Sequence, residues 1–102
     1  MAMLHIVNKS PFEKNSLSSC IGLSKQGSSI LLIEDAVIAA RKGTEFEEKL
    51  KEVMQDRKVY ALGPDLEARA VAAEKVLEGV EIVDYSGFVN LTVEHENLQS
   101  WL

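Results

Sequence analysis

The sequence predicts an α/β domain of three layers, with helices on both faces of a mainly parallel sheet of four or five strands. Two observations carry this. Short apolar runs alternate with helix-length segments along the whole chain, the pattern of strand–helix–strand units joined by right-handed crossovers. The run at residues 30–33, "ILLI", is continuously apolar rather than alternating, as a strand covered on both faces requires. With 102 residues and no linker, repeat or low-complexity stretch, residues 1–102 read as one domain.

The elements follow in order. "MLHIV", residues 3–7, is the first strand. In "SPFE", Ser10 is placed as an N-cap, Pro11 at the first helical position and Glu13 as the return arm of a capping box. This predicts a helix to about Gln26 with Gly27 as its left-handed stop. Leu17, Ile21 and Leu23 form its apolar face, with Cys20 on or beside it. Gly22 costs that helix about 1 kcal/mol relative to alanine. Residues 28–35 give the second strand, and residues 35–43 a short helix capped by Asp35 and stopped at Gly43. Thr44 and Glu47 form another capping box before an apolar stripe of Phe46, Leu50, Val53 and Met54. "KVYAL", residues 58–62, is the third strand; the helix after it breaks near Ala70. Residues 80–84 make the fourth strand, a helix follows around residues 86–95, and the chain closes on an apolar end, Trp101-Leu102.

Composition narrows function. At 46% hydrophobic and 26% charged, the chain is an ordinary globular protein. The net charge of −5, with no basic patch, argues against direct nucleic-acid contact. A single cysteine forms no internal disulfide. The N-terminal residues lack a signal-peptide pattern, and no run of about 18 apolar residues spans a membrane. A cytoplasmic protein is expected. A domain this short gains from an oligomer interface, because it buries a smaller share of its surface than a large one.

In a parallel sheet, ligands collect at the C-terminal ends of strands. Those ends offer residues 8–12, 34–36, 62–65 and 84–86, with neither a dinucleotide glycine fingerprint nor a P-loop. The turn at residues 10–12 could hold a small anion on backbone N–H groups, although capping alone explains it. The carboxylates of Glu34 and Asp35 could bind Mg²⁺ or move protons, or simply cap a helix. His5 lies inside a strand and reads as a core residue, while His95 sits near a helix C-terminus, where a cation is favoured. Two histidines and one cysteine, widely spaced, do not make a zinc site. For Cys20 two readings stay open: a small buried hydrophobe, or a thiol activated by groups from elsewhere in the fold or from another subunit. A helix begun at Ser10 would leave Cys20 roughly 13 Å from its N-terminus, too far for the dipole to act.

Several stretches together resemble the DsrH/TusB family of sulfur-relay proteins: "MLHIVNKSPF", "LLIEDAVIAA", "VYALGPDLEARA", "VEIVDYSGFVNLTVEH" and "LQSWL". The likeness leans to the DsrH side. It implies a small Rossmann-like fold and a place in a heterohexamer with two related chains, DsrE/TusD-like and DsrF/TusC-like. Such complexes carry sulfur as a cysteine persulfide and hand it to a DsrC/TusE-like carrier. They serve either dissimilatory sulfur oxidation or the synthesis of 2-thiouridine at the tRNA wobble position. The principal persulfide cysteine of the family lies on the DsrE/TusD chain. Cys20 falls where DsrH-type chains carry a cysteine, which makes it a candidate persulfide carrier and tilts the expectation toward sulfur oxidation; the alternatives are tRNA thiolation and a non-catalytic structural subunit. Persulfide transfer needs no metal and no organic cofactor. Ala70 stands where the family has glycine, and Asn90 where a charged residue is commoner.

Overall fold

The computed structural model describes residues 3–12 and 14–101, so Glu13 and its arm of the capping box, like Leu102, lie outside the described residues. The strands are β1 (Met3–Val7), β2 (Ser29–Leu32), β3 (Lys58–Leu62), β4 (Glu81–Val83) and β5 (Asn97–Trp101). They form one sheet in the order β4-β3-β2-β1-β5, and every pairing is parallel. The α-helices are α1 (Ser16–Leu23), α2 (Glu47–Val53), α3 (Gly63–Ala68) and α4 (Tyr85–Glu94); 3₁₀ turns cover Glu34–Ala40 and Ala73–Lys75.

Strand order decides the layers. From β1 to β4 each strand lies beside its predecessor, so right-handed crossovers put their connections on one face. There α1, the Glu34–Ala40 turn, α2 and α3 bury Leu17, Cys20, Val37, Leu50 and Leu66 against Val7, Ile30, Leu32, Val59 and Ala61. The connection from β4 to β5 returns past the whole sheet and lays α4 on the opposite face. There Leu91 and the half-buried Phe88 pack on Leu4, Leu31, Tyr60, Leu62 and Val83. Gly87 permits this approach, since a Cβ on it would meet Val83 Cβ at 2.9 Å.

Local structure departs from the expectations in five places. The first helix starts at Ser16, not Ser10. The Ser10 hydroxyl accepts from the Phe12 N–H at 3.2 Å and its carbonyl from the Lys14 N–H at 3.0 Å, so the cap is used on one isolated turn. That helix also ends early, at Leu23, because Arg57 Nη1 donates to the carbonyls of Ile21 (2.9 Å) and Ser24 (3.3 Å) and to Ser24 Oγ (2.7 Å). Gly27 is left-handed as expected, at φ +84°, but within the following loop. Asp35 caps nothing: Ile33 precedes a 3₁₀ turn, and Glu34 takes φ +49° with its N–H donating to Asp65 Oδ2 at 2.6 Å. The second capping box forms with a shift, Thr44 Oγ1 accepting from the Phe46 N–H at 3.2 Å and Glu47 Oε1 from the Gly43 N–H at 2.8 Å. Finally, residues 97–101, up to Trp101 of the apolar end, form a fifth strand, β5, beside β1.

The break at Ala70 is real: its φ is +57°, a left-handed geometry that costs an L-residue about 1 kcal/mol and glycine nothing. Ala70→Gly is therefore expected to stabilise the fold by about 0.5–1 kcal/mol, less the larger entropy glycine loses on folding. Urea unfolding checks this; a lower midpoint in the variant would show that the strain is relieved elsewhere.

Candidate functional site

Cys20 is the fifth residue of α1 and is fully buried, packed into the larger cluster beside Val7, Leu17 and Ile30. The shorter helix brings its N-terminus to about 6 Å, nearer than a start at Ser10 implied. Burial nevertheless dominates. Desolvation pushes the thiol up to about 12, and the Arg57 charge offsets only part of that. In this conformation Cys20 behaves as a small core hydrophobe.

Among the described residues, the carboxylates of Asp35 and Asp65 at the strand ends are engaged in ties between loops. Asp35 Oδ1 accepts from Arg69 Nε at 3.0 Å and Nη2 at 2.8 Å, while Arg69 Nη1 donates to the Asp65 carbonyl at 3.2 Å. With the Asp65–Glu34 bond, this clamps the β2 and β3 loops together. Glu34 and Asp35 thus do not converge on a common ion, and no cluster of three His, Cys, Asp or Glu side chains suited to a metal exists among the described residues. At residues 10–12, the Phe12 and Lys14 N–H groups that would bind an anion are bonded to Ser10. Phe12 instead meets Phe46 edge-on, with ring centres 5.5 Å apart.

Both histidines hold strands or helices in place. Trp101 Nε1–H donates to His5 Nδ1 at 3.1 Å, tying β5 to β1. Nδ1 is then an acceptor, so the proton of the neutral ring sits on Nε2. Burial first, and the Arg57 charge second, hold the pKa of His5 below its usual 6.5. His95 follows α4; its Nδ1–H donates to the Leu91 carbonyl at 2.7 Å, which leaves Nε2 to accept from Ser29 Oγ at 3.1 Å. It pins the end of α4 to β2 and lines an open cleft of about 540 Å³ with Ser29, Lys58, Tyr60 and Glu94.

Sequence reasoning missed one feature of the surface. Tyr85, Val89 and Val93 on α4 are 60%, 57% and 79% exposed, and Leu98 on β5 is 50% exposed. The spacing of four between the helical positions was the available signal; it places them in one line on a helix, but periodicity alone does not say that the line faces outward.

These observations define a small parallel α/β protein, helices on both faces of its sheet, with its one cysteine buried in the core. Residues 9–98 match the DsrH-like protein family, and the chain belongs to that family. It is 35% identical over 99 residues to protein TusB of Shigella flexneri and 34% identical over 99 residues to protein TusB of Escherichia coli K12, covering 97% of this chain and 100% of each relative. Among solved structures it superposes on the ychN protein from E. coli with a TM-score of 0.83 at 18% identity, covering 98% of both chains. It also superposes on MTH1491 of Methanobacterium thermoautotrophicum with a TM-score of 0.70 at 18% identity, covering 97% of this chain and 96% of that one. These likenesses confirm the fold. Among the described residues no helix is long and apolar enough to cross a membrane.

The His5–Trp101 bond is lost when His5 Nδ1 takes a proton, because two donors then face each other. The folded pKa lies below the unfolded one, so this contribution is complete above about pH 6.5 and disappears as pH falls through the depressed folded value. As pH falls below about 6.5, stability is expected to fall and Trp101 emission to shift to the red. His5→Asn, whose Oδ1 accepts at the same place without titrating, is expected to abolish the emission change; persistence of the change would assign it to another group.

Proposed function

We propose that this chain is a cytoplasmic, single-domain (residues 1–102) subunit of a sulfur-relay complex supplying sulfur for 2-thiouridine in tRNA. The observation that carries this reading is the end-to-end similarity to TusB proteins. The partners are then a TusD-like and a TusC-like chain in a heterohexamer, with a TusE-like carrier downstream. Dissimilatory sulfur oxidation is the second reading, favoured by the presence of Cys20 at the DsrH-type position.

Within either complex we assign this chain a structural role, with the persulfide on a partner. The chemistry supports that. In persulfide transfer an acceptor thiolate attacks the outer sulfur of R–S–SH; the new S–S bond forms, the old one breaks, and R–S⁻ leaves. A thiol buried in the core at a pKa of about 12 offers neither the thiolate nor the line of attack. For Cys20 to carry sulfur, α1 must first move away from β1 and β2.

The test uses the complex obtained by coexpression with the two partner chains, loaded from a persulfide donor and read by intact mass. A sulfur adduct on the TusD-like chain, with none on this chain, is the expected result. A thiol-reversible adduct on this chain that Cys20→Ser removes would make Cys20 a carrier and overturn the structural assignment.

A further inference from the structure

The two faces of the sheet are covered unequally. One carries α1, α2, α3 and the Glu34–Ala40 turn; the other, among the described residues, carries α4 alone. Five strands at about 4.8 Å spacing span about 19 Å, whereas one helix covers about 10 Å. The shortfall lies toward β5. Leu98 shares a face with Leu4, its register partner in the α4-covered cluster, yet it is 50% exposed. On the same side of the sheet, α4 exposes the line Tyr85, Val89 and Val93.

This surface has the composition of an interface core. Residues 85–93 contain no charge in a chain that is 26% charged. An aromatic and two valines, free of charge and exposed in one line, are what buried contact patches select. The borders are acidic: Asp84, Glu94 and Glu96 bracket the run and make no ion pair among the described residues. Lys58 shares the cleft with Glu94 without pairing to it.

We propose that this face docks an amphipathic helix of a partner subunit, with an apolar stripe against Val89, Val93 and Leu98 and Lys or Arg along its flanks. The occupant completes the second helical layer. A second copy of this chain fits poorly, because it carries the same net charge of −5 and would set acidic borders against acidic borders. The proposal rests on the subunit reading above and adds to it the surface and the chemistry of the partner.

Coexpression with the TusC-like and TusD-like chains tests it. Wild type is expected to co-elute with them as one complex. Val93→Glu combined with Leu98→Glu is expected to cut the assembled fraction at least about tenfold, with the far-UV circular dichroism and melting temperature of the isolated chain unchanged. Asn90→Lys is expected to weaken assembly more than Asn90→Glu. Full assembly of the double variant overturns the assigned face, and the reverse order of the Asn90 variants overturns the basic flank. Self-association of wild type through these residues overturns the choice of partner. A wild-type chain that stays monomeric beside both partners overturns the subunit reading, and the docking surface falls with it.

Discussion

A parallel sheet has two faces, and both must leave water; the rest of this structure follows from how a short chain meets that demand. Three successive crossovers stack one face with helical elements, and only the last connection is left for the other. The well-covered face holds the larger cluster and shelters Cys20 completely. The thinly covered face leaves apolar side chains of α4 and β5 in water. The sheltered thiol and the open docking surface are two results of one asymmetry in strand order.

Arg57 connects the two faces of that account. It lies between α2 and β3, its Nε donates to Asp56 at 2.9 Å, and its Nη1 takes the carbonyls that end α1. Helix α1 is therefore short, and its end is fixed against the start of β3. The same fixed charge acts on both Cys20 and His5, lowering each. For His5 it adds to desolvation and keeps the imidazole neutral, as the bond from Trp101 requires. For Cys20 it opposes desolvation and loses. One guanidinium thus favours the neutral imidazole at the β5 attachment and opposes, without overcoming, the desolvation that raises the thiol.

Much of the fold was legible in the sequence, because strands covered on both faces read as unbroken apolar runs and helix starts carry local caps. The first four strands, the all-round coverage and the break at Ala70 were visible in this way. What failed depended on partners distant in sequence. Ser10 looks like a helix cap, but nothing local shows that its turn closes after Lys14 or that Arg57 stops α1 thirty-odd residues upstream of itself. Asp35 looks like a cap because Arg69 is far along the chain. Strand β5 reads weakly because "NLQS" lies on an exposed edge and has little to bury. Cys20 was visible as a residue, but its reactivity was not, because burial belongs to the packed fold. The family likeness suggested sulfur oxidation through that cysteine; the TusB relatives favour the alternative proposed above, tRNA thiolation, while the burial of the thiol is the ground for the structural role proposed there.

The central claim is that this chain works through its thinly covered face and not through its thiol. Amide hydrogen exchange on the isolated chain and on the assembled complex tests it most directly. The account predicts that assembly adds protection across α4 and β5 and leaves α1 unchanged. Added protection confined to α1, or exchange in α1 that speeds up on assembly and exposes Cys20, would contradict it.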